Sequence, residues 1–290
     1  MFGGIDTHQI KVRKPATQGE IVKSKIADAI SLETQPVAQL WEDERPDDAT
    51  VFKPGKWGCI MWLMAAAAKG RTAACDRETF GCFGGGVGVG FGEQYLNFPG
   101  GEECFTRFLS SGNASSEKGR AVAEAVKPYM TEETHEEFLE GERYLKDPER
   151  ARAFIDQLPI TDIPARWVVF KPLSAILEVA EPQVVTFFAR PHQLAALIVL
   201  ANYDAPTVEN VISPFAAGCQ ATGIIAYREA AANSPRAVMG LIDISARLQV
   251  KKSLGDDIFS ISLPWKLFMR MESNVEESFL MRPTWRALIS

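Results

Sequence analysis

The sequence predicts a mixed α/β or α+β fold: a mixed sheet with packed helices, arranged as two intimately associated halves plus a helical arm. Three observations lead there. Short β-type runs alternate with helical runs, and neither type continues alone for long. The length of 290 residues suits one large domain or two closely packed ones of roughly 100–200 residues each. Residues 117–129 and 132–144 are helical in pattern, dense in glutamate and weakly apolar, as expected of a solvated arm.

In chain order, residues 22–31 place Val22, Ile26, Ala29 and Ile30 at helical spacing. A strand is expected over 36–41, then a polar loop over 42–56 that holds two prolines. Residues 58–69, GCIMWLMAAAAK, read as an alanine-rich buried helix closed by Gly70. A short strand at 71–75 leads into a glycine-rich, turn-like stretch at 81–92. Past the arm, Pro164 marks re-entry, and a boundary near residue 160 divides the chain into halves 1–160 and 161–290. The second half offers strands at 166–172 and 183–189, a helix at 192–202, a helix at 217–232, strands at 237–245 and 258–263, and a helix at 265–272.

Composition excludes several classes. Apolar residues make up 46% and charged residues 23%, as in an ordinary globular protein. The net charge of −6 lacks the basic surplus by which proteins hold nucleic acid or an anionic membrane surface. The longest apolar stretches, 59–68 and 194–201, fall well short of the roughly 20 residues that cross a bilayer. The opening fifteen residues, MFGGIDTHQIKVRKP, contain no apolar h-region, so no secretory signal and a cytoplasmic location are expected. Without secretion the glycan acceptor pattern Asn113-Ala-Ser115 carries no meaning.

Cysteine is the informative residue type: Cys59, Cys75, Cys82, Cys104 and Cys219. The plain reading of a free cysteine is a small buried hydrophobe. Position favours more for three of them. Cys59 and Cys219 follow glycine near predicted helix starts, where unpaired N–H groups favour thiolate over thiol. Cys82 sits in Gly81-Cys-Phe-Gly-Gly-Gly86, where backbone can approach a bulky group. Gly58-Cys59 and Gly218-Cys219 each open a small-residue helix that leads to a strand. If the halves are distant copies about a pseudo-twofold axis, these cysteines come close together.

Soft thiolates select zinc, copper(I) or iron–sulfur clusters. No C-x-x-C occurs, and the separations run Cys59–x15–Cys75–x6–Cys82 with Cys219 far downstream, so ligands would come from separate elements. A set of Cys59, Cys82 and Cys219 leaves one iron of a four-iron cluster open to act as a Lewis acid; adding Cys75 closes the site. Zinc is the alternative metal, and no metal at all is the other. For zinc a histidine is the usual further ligand, from His8, His135 or His192. The run Gly84-Gly85-Gly86 is the candidate cofactor-binding backbone; with no G-x-G-x-x-G register and no P-loop lysine it predicts no dinucleotide site. Glu132-Glu133 and Glu136-Glu137 read as a solvated face. Arg190, Arg228 and Arg247 are candidates for an anionic pocket, and Trp57, Trp62, Trp265 and Trp285 for core anchors.

Six segments together resemble one family: GRTAACDRETFGCFGGGVGVGFG at 70–92, FPGGEECFTRFLSSGN at 98–113, FFARPHQL at 187–194, AAGCQ at 216–220, GLIDISAR at 240–247 and MESNVEESFL at 271–280. The resemblance is to the domain-of-unknown-function family numbered 169. It implies a soluble prokaryotic protein of the kind found in archaea and anaerobic bacteria, and it brings no agreed activity. Cys59, Cys82 with its glycines, and Cys219 match the family-like pattern, whereas Cys75 and Phe83 depart from it. The resemblance therefore implies the three-cysteine set. The leading expectation is a cytoplasmic protein that carries a [4Fe–4S] cluster on Cys59, Cys82 and Cys219 in anaerobic redox metabolism, with a redox partner or a small-molecule substrate. One alternative is a small-molecule-binding module with structural cysteines, its pocket formed by the glycine loop and the Arg190–His192 turn. Another is an enzyme whose nucleophile is Cys59 or Cys219.

Overall fold

The computed structural model describes residues 21–205 and 207–290. His8 and the opening segment read for a secretory signal lie outside the described residues. The chain divides into two compact units, Met1–Gly92 with Thr161–Ser290, and Glu93–Ile160. Residue 160, the sequence boundary, is the last of the second unit.

The first unit is built on a mixed seven-stranded sheet. Its strands are β1 (Val37–Glu42), β2 (Ala73–Cys75), β3 (Trp167–Pro172), β4 (Val184–Ala189), β5 (Val211–Ile212), β6 (Ala237–Gly240) and β7 (Phe259–Pro264). They lie in the order β2-β3-β1-β4-β7-β6-β5. Every pairing is antiparallel except β5 with β6. Its helices are α1 (Lys25–Ala29), α2 (Ile60–Ala68) and α3 (Phe83–Gly88) before the second unit. The second unit carries α4 (Gly101–Phe108), α5 (Glu117–Val126), α6 (Glu132–Glu140) and α7 (Pro148–Ile155). After it come α8 (Pro191–Ala201), α9 (Gly218–Thr222), α10 (Ile224–Ala230), α11 (Ile244–Leu254), α12 (Trp265–Asn274) and α13 (Pro283–Ile289).

Strand periodicity sorts side chains onto two faces of the sheet. Ala38 and Leu40 of β1, Val185 and Phe187 of β4, and Ile261 and Leu263 of β7 form an apolar face. Against it pack Ile26 of α1, Leu197 of α8, Phe268 of α12 and Trp285 of α13. The other face carries Gln39, Thr186, Ser260 and Ser262, all fully buried. Buried polar groups need partners. Thr186 and Ser262 bond each other at 2.9 Å, and Gln39 donates to the Tyr227 hydroxyl of α10. On this face α9 approaches so closely that a Cβ at Gly240 would stand 2.7 Å from Ala221 Cβ.

The second unit is helical and has a small aromatic core of its own. Phe98 stacks on Phe138 at 5.8 Å, with Phe105 and Phe108 packed edge-on or tilted against Phe98. Ser116, Thr131 and Asp147 cap α5, α6 and α7 by accepting an N–H three residues on. This unit holds fourteen acidic and eight basic residues, which equals the whole net charge of the chain. Asn113 of the glycan pattern is buried and donates to the Cys104 and Phe138 carbonyls.

Several sequence expectations need correction. The glycine-rich stretch 81–92 contains α3 rather than turns alone; the Cys82 sulfur caps it, and packing overrides glycine's low helix propensity. The helix expected over 217–232 breaks into α9 and α10 at Gly223. The strand expected over 237–245 stops at Gly240; Leu241 turns with φ of 59°, and α11 follows. β5, α4, α7, α11 and α13 had no counterpart in the sequence reading.

Phe268 is fully buried between the sheet and Trp265. Phe268→Ala is expected to cost about 3–5 kcal/mol, read as a lower urea midpoint with an unchanged slope.

Candidate functional site

Three Gly-Cys dipeptides meet on the polar face of the sheet. Cys59 is the N-cap of α2, Cys82 the N-cap of α3, and Cys219 the second residue of α9. The Gly85 amide donates to Cys82 Sγ at 3.2 Å, and Cys219 Sγ donates to the Gly84 carbonyl at 3.2 Å. The run proposed to line a cofactor thus lies against two of the sulfurs, and the Gly86 amide donates to the Cys82 carbonyl at 2.9 Å.

Glycines make this convergence possible. A Cβ on Gly81 would fall far inside van der Waals contact with the Gly58 carbonyl oxygen, and one on Gly223 would do the same to the Gly88 oxygen. A Cβ on Gly88 would stand 2.8 Å from Cys219 Sγ, and one on Gly85 the same distance from Ile60 Cγ1. Gly84 differs: a Cβ there would meet nothing within 4 Å.

Burial sets the charge state of the thiols. Desolvation first, then the neighbouring Cys82 and Asp243, push Cys59 up to about 12. Cys219 is raised well above its ordinary value by desolvation, then by Cys82, Cys59 and Asp243. The three cysteines are therefore close enough to feel one another's charge. This corrects the expectation of thiolates at helix starts: loss of water outweighs the help of the backbone amides. Cys75, in β2, is fully buried, and its thiol is raised by desolvation and by Asp76 rather than by the other cysteines. Cys104 lies in the core of the second unit beside Phe138.

Asp243, the N-cap of α11, is the site residue that sequence reasoning did not identify. Its Oδ2 accepts the Ala246 amide at 3.1 Å. Loss of water raises its carboxyl above the ordinary value, against the Ala246, Asp243 and Gly218 amides and the nearby Arg247, which pull it down. Its Oδ1 lies 3.3 Å from where a Gly218 Cβ would stand. The legible signal was the helix-start pattern Asp243-x-x-Ala246 within the quoted GLIDISAR segment.

The remaining candidates lie elsewhere. Arg190 pairs with Glu33 and Asp257 and Arg247 donates to the Leu241, Asp256 and Ile258 carbonyls, so both hold the turn 256–258, while Arg228 pairs with Glu229. His192 is in the first turn of α8, and His135 is on α6. Trp57 and Trp62, expected in the core, are exposed and meet edge to face at 5.3 Å. Trp62 borders an open groove of about 550 Å³ with Leu248, Lys69, Arg71 and Lys252.

Among the described residues no three His, Cys, Asp or Glu side chains converge tightly enough for a single metal ion. A polynuclear cluster holds its cysteines farther apart than one ion does. Soft donors, an amide aimed at a ligand sulfur and close-packed glycine backbone fit such a group in kind.

Residues 25–274 match the model of the domain-of-unknown-function family 169, described as uncharacterised ArCR. The chain belongs to this family. No curated protein and no solved structure matches this family-169 protein. Among its described residues no helix is long and apolar enough to cross a membrane.

Two outcomes follow for the family-169 protein. Because the Cys59 thiol is held above its unfolded value, its contribution to stability is complete below about pH 9 and lost as pH rises toward 12. Iodoacetamide labelling of metal-free native protein should accordingly be slow at Cys59 and Cys219 at pH 8 and accelerate only in strong alkali. Gly84→Ala should raise stability by about 0.5–1 kcal/mol, whereas Gly88→Ala should lower it by about 1–3 kcal/mol, both read by chemical denaturation.

Proposed function

We propose that this family-169 protein is a cytoplasmic iron–sulfur protein of anaerobic redox metabolism. Cys59, Cys82 and Cys219 would hold a cluster of the [4Fe–4S] type. The observation that carries the reading is the convergence of three Gly-Cys dipeptides, drawn from α2, α3 and α9, on one corner where Cys219 is buried and Cys59 and Cys82 are half-buried. Such a cluster supplies one-electron transfer and, at an iron not held by cysteine, Lewis acidity.

The roles of the chain's own groups follow from their positions. The three sulfurs are the soft donors. Each thiol must release its proton to bind, which the raised Cys59 and Cys219 do only against a strong positive charge. The Gly85 N–H withdraws charge from the Cys82 sulfur, which favours the reduced state of the group that it holds. Close packing of Gly88 on Cys219 keeps water from that side. A redox partner or a small-molecule substrate completes the reading.

A second reading is a small-molecule-binding module with structural cysteines. The groove beside Trp62, with Lys69, Arg71 and Lys252 on its walls, supports it. Zinc in place of the cluster is a distinct outcome of the same analysis.

Strictly anaerobic purification with iron, sulfide and zinc analysis tests these readings. The first predicts near-stoichiometric iron and sulfide, and a broad visible absorption bleached by dithionite. Serine at Cys59, Cys82 or Cys219 should remove most of the iron, while Cys75→Ser and Cys104→Ser keep it. A colourless, metal-free protein that folds unchanged with all three cysteines replaced would sink the cluster and favour the second reading.

A further inference from the structure

We propose that the groove between α2 and α11 binds an organic anion with a planar apolar body and at least two negative charges, carried by phosphate or carboxylate. This rests on the small-molecule reading above and deepens it by naming the class of ligand; it needs no metal centre.

The groove is lined by one face of each helix. Trp62, Ala66 and Lys69 follow one another by single turns along α2, and Leu248 and Lys252 do the same along α11. Gly70 ends α2 with a φ of 88°, and Arg71 beyond it lines the same groove. The volume of about 550 Å³ falls within the roughly 300–1,000 Å³ of small-molecule sites.

Charge is the first feature that asks for a ligand. No acidic side chain lines the groove, although the chain carries a net charge of −6. Neighbouring Lys251 pairs with Asp256, whereas Lys69, Arg71 and Lys252 pair with no carboxylate among the described residues. Lys69 and Lys252 stand at helix C-terminal ends, where the macrodipole favours a cation on its own account. Arg71 lies outside any helix and has no such reason. Three unpaired cations around one opening raise the local concentration of anions and hold best the one that meets several of them at once.

The second feature is a fixed apolar surface beside those cations. The Trp62 indole N–H donates to the Gln249 carbonyl at 2.9 Å, and its ring meets Trp57 edge to face. The ring is therefore held in place before anything binds, which lowers the entropy lost on binding. With its N–H already used, Trp62 offers a ligand its ring and not a hydrogen bond, which selects a planar apolar body. Leu248 on the other wall is 67% exposed, an apolar side chain left in water until such a body covers it.

Calorimetric titration of the full chain at low ionic strength with four compounds tests the assignment. Adenosine triphosphate and benzene-1,2,4-tricarboxylate carry both body and charge, tripolyphosphate carries charge alone, and adenosine carries the body alone. One of the first two should bind once per chain, about tenfold or more tighter than tripolyphosphate or adenosine, and which of them binds tells phosphate from carboxylate. Arg71→Gln and Lys252→Gln, both at exposed positions, should each weaken that binding about tenfold. Trp62→Ala should do so by a similar factor, and added salt should weaken it further. Binding unchanged in both Gln variants, or tripolyphosphate binding as tightly as either planar anion, would overturn the groove site. Adenosine binding as tightly as adenosine triphosphate, and lost in Trp62→Ala, would overturn the anionic class and leave the small-molecule reading standing. Binding of none of the four would overturn the proposal. Iron and sulfide analysis of the same preparation decides separately whether the cysteines are structural.

Discussion

Backbone contact without side chains is the constraint on which the cysteine corner depends. α3 and α9 touch through Gly88, Cys219 and Gly223, and the loops before α2 and α3 touch through Gly58 and Gly81. Each contact is closer than any Cβ permits, so larger residues at these points would move a whole helix and not merely a rotamer. The positions of the three sulfurs are therefore fixed by main chain. That is a stiffer arrangement than one built from long side chains, whose freedom must be frozen on ordering.

The sheet beneath takes part in this arrangement. Its apolar face is closed by α1, α8, α12 and α13, and the cysteine-bearing helices lie over the face with Gln39, Thr186, Ser260 and Ser262. A polar interior of this kind is tolerated when its groups bond one another, as Thr186 does with Ser262 and Gln39 with Tyr227. Such pairings have fewer acceptable alternatives than apolar packing, so they fix register where it matters for α9 and α10.

Much of this was legible along the chain, for reasons that differ by element. β1, β3, β4 and β7 announce themselves because β-branched and aromatic runs bounded by turn residues have one reading. α2 is legible from its unbroken small and apolar residues. α3 is not, since three adjacent glycines argue against a helix until the Cys82 cap and the contact with α9 are known. The break at Gly223 and the stop at Gly240 are also invisible locally, because their causes, the Gly88 carbonyl and Ala221, lie far away or across the sheet. Within the site, Cys59, Cys82 and Cys219 were singled out in advance, but the shared Gly-Cys pattern was noticed for only two of them. Asp243 was missed because a helix-capping aspartate looks ordinary until its charge is seen to bear on Cys59 and Cys219.

The second unit leaves and rejoins the first through adjacent backbone. Phe91 bridges to Asp162, the Gly92 amide donates to the Thr161 carbonyl, and Arg77 reaches the Ile163 carbonyl. Its residues 93–160 interrupt a sheet whose β1 pairs only with β3 and β4, strands made after the interruption ends. During synthesis the helical unit can complete its short-range contacts as it emerges, while Val37–Glu42 must wait with an apolar face uncovered. A ribosome thus delivers the inserted part before the cysteine corner can close, since Cys219 arrives after it. Any group held by all three cysteines is loaded only once the helical unit has been made.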